Sequence, residues 1–482
     1  MKVKHTLLTV IALVLAVAVQ AQVADLHEYA QGRAVTKSYS PMFIGCDGSR
    51  IAFIEFSGRM KNKVELATYD MNQKELARTL VTEDKEMRCY GGFINGSHID
   101  LLMVHWKGED MHVFRERRDL ATLKPEGEPL VLADYHGTKG DKMSFSLGSS
   151  ANNELLATTY VVARETQDAE VQVALYSREL EEYWKMDSRC RKFNMIHVTD
   201  SGEVLLGNTN TGEGKFYISI LDGETEVSHS FEIGMKRMAE SSIARYVDGK
   251  IYVLASHMGK ENLMEMGIQS DYYVSACYDT RRKTVTTDRH DITKTEYNRL
   301  NNYKDDKKVK KDDYRIIFFN MDQVVADKDG YYAVFDQSWT TSVNGVPESK
   351  NRTGNIVVRI NNEGKIEWTK TFHMASYTEY ESQSMINYHW VPTERGLMLV
   401  WVRNKKDSTY PAEKPVNMFQ PFKSAGVLGV MLIDRKGETT LQDFPLPAKN
   451  ALMGKPHRMD NGEWLLVIRG MSKGHLATMK LK

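Results

Sequence analysis

A two-residue turn that recurs eight times, each time ahead of a short apolar strand, constrains this chain more than any other feature. Asp47-Gly48 precedes Ile51-Ala52-Phe53-Ile54, Asn95-Gly96 precedes Ile99 to Val104, and Asn152-Asn153 precedes Leu155 to Val162. Ser201-Gly202 precedes Val204-Leu205-Leu206, Asp248-Gly249 precedes Ile251 to Leu254, and Asp329-Gly330 precedes Tyr331 to Phe335. Arg395-Gly396 before Leu397 to Val402 and Asn461-Gly462 before Trp464 to Ile468 complete the set. Tight hairpin turns need positive φ, which Gly, Asn and Asp tolerate best. The second turn residues lie 48, 57, 49, 47, 81, 66 and 66 residues apart. A propeller blade of four short strands takes about 40 to 50 residues, so the later spacings read as the same unit with insertions.

Each of these strands is followed by a loop and a third strand, from Val64 to Tyr69 in the first unit to Leu476 to Leu481 in the last. Several third strands run into a second turn, as in Leu221-Asp222-Gly223, Asn361-Asn362-Glu363-Gly364 and Asp434-Arg435-Lys436-Gly437, which sets up an outermost strand. Long helical periodicity is absent. The pattern predicts an all-β chain folded as a single β-propeller of eight blades, at about 40–82, 88–134, 142–187, 192–233, 240–292, 315–373, 382–446 and 455–482. Seven blades or two stacked sandwiches are the alternatives. The eighth unit ends directly after its third strand, so its fourth must come from elsewhere. An open strand edge invites aggregation, and the segment 34–40 (Ala34-Val35-Thr36-Lys37-Ser38-Tyr39-Ser40) is expected to fill the place and close the ring.

The first residues speak to compartment. Met1-Lys2-Val3-Lys4-His5 is a basic leader, Leu7 to Val19 an apolar run of 13 residues, and Val19-Gln20-Ala21 an acceptable cleavage site, so residues 1–21 read as a signal peptide and the mature chain as starting near Gln22. The run is shorter than the roughly 20 apolar residues a membrane-spanning helix needs, and no second such stretch follows. The expectation is a secreted or periplasmic protein with no transmembrane span. Lys plus Arg and Asp plus Glu both number 64, which gives no overall field for nucleic acid. The four cysteines, Cys46, Cys89, Cys190 and Cys277, are too few for a disulfide scaffold and favour no pairing.

One stretch resembles a known repeat. Ser40-Pro41 with Asp47-Gly48-Ser49-Arg50-Ile51-Ala52-Phe53, and then Ala67-Thr68-Tyr69-Asp70, is similar to the WD40-like repeat of TolB-type propellers. The likeness covers about one blade in eight; the other units keep the turn and strand but lose the proline and the aromatic spacing. It implies a periplasmic protein-binding module or the gate of a serine peptidase, and no peptidase domain follows the eighth unit.

In a propeller the loop after each second strand and the connection to the next blade share one face, conventionally the top. Four long connections fall there, on blades five, six and seven: Ser256 to Asp271, Lys294 to Arg315, Gln337 to Asn355 and Arg403 to Ala425. Loops of such length in a compact domain are usually functional or disordered. Lys304 to Asp313 is a mixed charge run that reads as a solvated segment. The loop carrying Tyr410-Pro411, Pro415, Met418-Phe419 and Pro421-Phe422 should pack on something, either a blade edge or a ligand groove. His105, Trp106, Arg164, Asn208, His257, Trp339, Arg403 and Arg469 end second strands and would point into the same face. Aromatics beside Arg and His would suit a sugar or an acidic group.

Linear catalytic motifs are missing: the sequence has no H-E-x-x-H, C-x-x-C, P-loop, G-x-S-x-G or sialidase-type Asp box. Asp327-Lys328-Asp329-Gly330 reads as a turn, not a calcium loop. His105, His257 and His389 could converge near the channel mouth, but neither metal nor cofactor is expected. The leading reading is a non-catalytic binding or scaffold propeller that recognises an extracytoplasmic protein or glycan through the top-face loops of blades five to seven, with no nucleic-acid partner. The alternative is a glycan-active hydrolase or lyase whose acid and base come from different blades, which requires two carboxylates, or a carboxylate with Tyr or His, facing one another about 5 to 10 Å apart in the top-face pocket.

Overall fold

The computed structural model describes residues 24–28, 42–57, 63–71, 74–137, 142–163, 170–188, 193–259, 269–309, 316–317, 319–343, 346–379, 388–407, 414–420, 426–446, 452–459, 462–469 and 474–481. Eight of its antiparallel sheets, one per repeat, are arranged as the eight blades of a single propeller. Blade 1 runs Met42–Cys46, Arg50–Ser57, Lys63–Asp70 and Glu75–Thr82 from the channel outward. All eight second turn residues have positive φ, from +58° at Gly96 to +149° at Gly330.

The second strands are apolar without alternation because each is buried on both faces, and neighbouring residues face different blades. Ile51 and Phe53 pack with Leu465 and Val467 of blade 8, whereas Ala52 and Ile54 pack with Leu101 and Met103 of blade 2. Eight such clusters occur among the described residues, one at each blade interface including that between blades 8 and 1. Outer strands have no blade beyond them and are exposed at alternate positions, as in Glu182–Ser188.

Ring closure comes from an N-terminal strand, Ala24–Glu28, which takes the fourth place in blade 8; the segment 34–40 expected there lies outside the described residues. Ala24–Glu28 pairs antiparallel with Gly474–Leu481, with Ala24 opposite Leu481 and Glu28 opposite Ala477. Chain reach explains the correction. From the outermost strand of blade 8 the chain must reach Met42, on the innermost strand of blade 1. Three strand spacings of about 4.8 Å amount to roughly 14 Å of lateral travel. A closing strand that ended at residue 40 would leave one residue, with a reach of about 3.5 Å; one that ends at Glu28 leaves ample chain.

Two of the long connections also differ from simple loops. The blade 5 to 6 connection contains a helix, Lys294–Leu300, started by a capping box in which Thr293 and Glu296 satisfy each other's backbone N–H groups. Gln337 to Asn355 is not a free loop: the strands Gly330–Val343 and Val346–Asn361 carry the hairpin of blade 6 outward through most of it. The described thiols, Cys46, Cys89 and Cys277, are buried, and Cys190 lies outside the described residues.

The glycines of the outer turns also have a packing role. Gly223, with φ +94°, sits on Trp184 of the preceding blade, so that a Cβ there would meet the indole at 2.6 Å. Gly437, with φ +81°, is seated in the same way on Trp368, whose Nε1–H donates to the Arg435 carbonyl at 2.9 Å. Gly96, also at positive φ, has open space where a Cβ would point. Gly223→Ala is therefore expected to cost about 2 to 4 kcal/mol in denaturant unfolding, left-handed strain plus overpacking, against about 1 to 2 for Gly96→Ala, which adds strain alone. Equal losses would refute the seat.

Candidate ligand-binding face

Among the described residues, the strand-end side chains are not brought together: they lie on different blades and most are committed to neighbours. His105 and Trp106 lie on blade 2, half-buried, with His105 Nε2 3.4 Å from Asp84 Oδ2. Asn208 is on blade 4, where its side chain accepts the next backbone N–H. His257, on blade 5, holds Asp271 at 2.5 Å and stacks on Tyr272, whose other neighbour is the Arg289 guanidinium at 3.6 Å. Trp339 is half-buried in the extended hairpin of blade 6, paired in register with Asn351. Arg403, on blade 7, is 7% exposed and ion-paired with Asp443, which makes it a structural brace. Arg469 ends the second strand of blade 8, with its side chain outside the described set, and Arg164 lies outside the described residues altogether.

The three histidines expected to converge do not. They sit on blades 2, 5 and 7, and His389 is half-buried, its Nε2–H donating to the Met453 carbonyl of blade 8 at 3.2 Å.

The crown over blades 5 to 7 exists, but its described parts grip one another. Asn302, after the helix, exchanges two hydrogen bonds with Val416 of the blade 7 loop, at 3.0 and 2.9 Å. Phe419 of that loop is fully buried and pairs with the edge of blade 6 beside Ser376, with backbone bonds to Ala375 and Tyr377. Gln269–Ser270 pairs with Ile316–Ile317, joining two further connections. Between Phe419, Arg403, His373 and Trp401 remains a cavity of about 20 Å³, room for about one water. Of the two fates expected for this loop, Phe419 follows the first and covers a blade edge.

The larger space lies at the top-face mouth of the central channel, between blades 4, 5 and 6, with a volume of about 430 Å³. Blade 4 contributes Asn194, Thr209 and Thr211, blade 5 Glu240, Ser241 and Ser242, and blade 6 Asp322 and Gln323. The inner strands of blades 5 and 6, Met238–Val247 and Phe319–Asp327, present these groups where they enter from the top. Among the described residues no Lys, Arg, His or aromatic side chain lines the space. Glu240 Oε2 accepts the Met321 N–H, and among the described residues Glu240 is in no ion pair. Burial raises its carboxyl above the usual range, and the charge of Asp336 adds to this while the Met321 N–H opposes it. Behind Asp322 stands a buried network in which Asp336 accepts from Arg352 at 3.2 Å and from Tyr388 at 3.1 Å. The charge of Asp322 reaches both Arg352 and Tyr388.

This mouth was not legible as a site. Its groups come from three blades and have no linear signature, and its acidic character is opposite to the Arg and His platform expected from strand ends.

No protein-family model and no curated protein matches the chain. Solved structures similar to it include the WD40 domain of SCAP from fission yeast, 8% identical over 95% of this chain and 96% of that one at a TM-score of 0.37. An oligogalacturonate lyase in complex with manganese is 11% identical over 95% and 91% at 0.36, and the Dos1 propeller 10% over 94% and 95% at 0.34. None of these lends the chain a ligand or a reaction. Among the described residues no helix is long and apolar enough to cross a membrane.

Four histidines packed into the fold add to its acid sensitivity. Burial pushes His389 down to about 3, and His197, His373 and His457 to about 4. The unfolded chain protonates these groups near 6.5 and the folded one does not, so their contribution is complete above about pH 6.5 and is lost progressively as pH falls toward 4. At pH 5 His389 alone accounts for about 2 kcal/mol. The expected result is a melting temperature that falls between pH 7.5 and 5, and falls less in H389Q; a profile identical in the two proteins would contradict it.

Proposed function

We propose that this chain is an exported, non-catalytic binding propeller that takes a basic group of a polypeptide partner into the channel mouth between blades 4, 5 and 6. The observation that carries the reading is the chemistry of that mouth: two carboxylates, Glu240 and Asp322, amid hydroxyl and amide groups, with no cation among the described residues that line the space. Asp322 shares its charge with Arg352, which leaves Glu240 as the carboxylate most in need of a partner. A Lys or Arg side chain would supply the missing charge and would find hydrogen-bond acceptors already in place. The TolB-type character of the first blade, which implies a protein-binding module, agrees with a polypeptide ligand.

Export is part of the proposal. Cleavage after Ala21 would start the mature chain at Gln22 and leave Ala24–Glu28, the strand that closes the ring, intact.

One observation favours a second reading. Glu240 is held toward its protonated form in a cavity that contains a second carboxylate, and an acid paired with a base is what glycan cleavage requires. That reading makes Glu240 the proton donor and Asp322 the base.

The test is titration of the mature protein with Lys- and Arg-containing peptides and with neutral and acidic oligosaccharides, in parallel with assays of glycan cleavage. Basic peptides should bind, and E240Q should weaken them about tenfold, equivalent to about 1.4 kcal/mol. Affinity should fall as the solution is made more acid, and at a higher pH than an ordinary carboxylate would give, because Glu240 must be ionised to hold a cation; E240Q should flatten that dependence. Glycan cleavage abolished by E240Q would replace the binding reading with the enzymatic one; indifference of E240Q to every ligand would remove the mouth as the site.

A further inference from the structure

On the opposite side of the ring, at the top-face rim of blades 1 and 2, we propose a binding site for a divalent transition-metal ion, with Asp84, Glu86 and His105 as its protein ligands. One donor atom from each of the three lies within 4.8 Å of the others. The carboxylates come from the connection between the blades, after Glu75–Thr82, and the imidazole from the end of His98–Lys107, the second strand of blade 2.

Local hydrogen bonds hold the donors in place. The Thr82 hydroxyl accepts the Asp84 N–H at 3.0 Å, and Asp84 Oδ1 accepts the Glu86 N–H at 2.9 Å, which leaves Oδ2 turned toward His105. The Glu86 carbonyl accepts the Trp106 N–H at 2.8 Å, so the connection is tied to the residue next to His105. Neither carboxylate depends on a long flexible loop.

The rim itself supplies a contrast that singles out His105. On the same blade His112 Nδ1 meets Asp134 at 2.7 Å and His136 Nδ1 meets Asp110 at 3.2 Å, each pair directly opposite across neighbouring strands. Those two imidazoles have found hydrogen-bond partners. His105 Nε2 stands 3.4 Å from Asp84 Oδ2, too long for a strong hydrogen bond. Two ligands bound at about 2.1 Å to a tetrahedral ion lie about 3.4 Å apart. The spacing therefore suits a shared cation better than a shared proton.

Two carboxylates and one imidazole suit Zn²⁺ or Mn²⁺ rather than a thiophilic metal. The carboxylates neutralise the charge of the ion, and the half-exposed position leaves coordination places for water or for a donor from a partner. This site is independent of the reading of the channel mouth.

The experiment is calorimetric titration of Zn²⁺ into the mature, untagged protein at pH 7.5, together with D84N, H105Q and, as a control on the neighbouring pair, H136Q. One equivalent should bind, with affinity reduced at least tenfold in D84N and in H105Q and unchanged in H136Q. Melting curves without metal should superimpose for all four proteins, which separates loss of the site from loss of the fold, and only wild type and H136Q should gain melting temperature when Zn²⁺ is added. Absence of binding to wild type, binding that survives both D84N and H105Q, or binding lost equally in H136Q would overturn the assignment.

Discussion

Five residues near the N-terminus, paired with the last strand of the chain, hold the two ends of the sequence together, and the ring depends on that junction. A propeller has no central core; its apolar side chains lie between blades, and each second strand is shared by two interfaces. Without Ala24–Glu28 the third strand of blade 8 would be an open edge, and the cluster that joins Leu465 and Val467 to Ile51 and Phe53 would lose the ring that holds it together. Closure turns eight nearest-neighbour interfaces into one cooperative unit.

The same geometry explains where chemistry can collect. Side chains at the ends of second strands spread around the circumference and are taken up by neighbours from their own blade, as Arg403 is by Asp443 and His257 by Asp271. Groups at the entry of inner strands instead face the channel and can meet across blades, which is how Glu240 and Asp322 come to line one cavity. The described parts of the long connections over blades 5 to 7 are bonded to one another, with Phe419 as an anchor.

The fold was legible because turn chemistry is local: each two-residue turn, five of them Asx-Gly, declares its hairpin without reference to the rest of the chain, and eight such turns leave few architectures. What was missed needed longer-range reasoning. The closing strand could have been placed by counting the residues needed to cross a blade, a constraint that outweighs the better strand composition of 34–40. The helix Lys294–Leu300 was signalled by Thr293 and Glu296, the two halves of a capping box, inside a segment read as loop. The channel mouth and the rim cluster were not legible, since Asp84 and Glu86 meet His105, and Glu240 meets Asp322, only after the strands have been paired and the ring closed.

The most direct test of this account is a disulfide across the closing strands. Asp25 lies directly opposite Lys480 in the register, so the mature protein carrying D25C and K480C should form an intramolecular crosslink under mild oxidation, detected by peptide mapping, and should unfold at a higher temperature than its reduced form. Efficient crosslinking of K480C to a cysteine placed within 34–40, with none to D25C, would contradict the closure described here and return the ring to the arrangement first expected from its sequence.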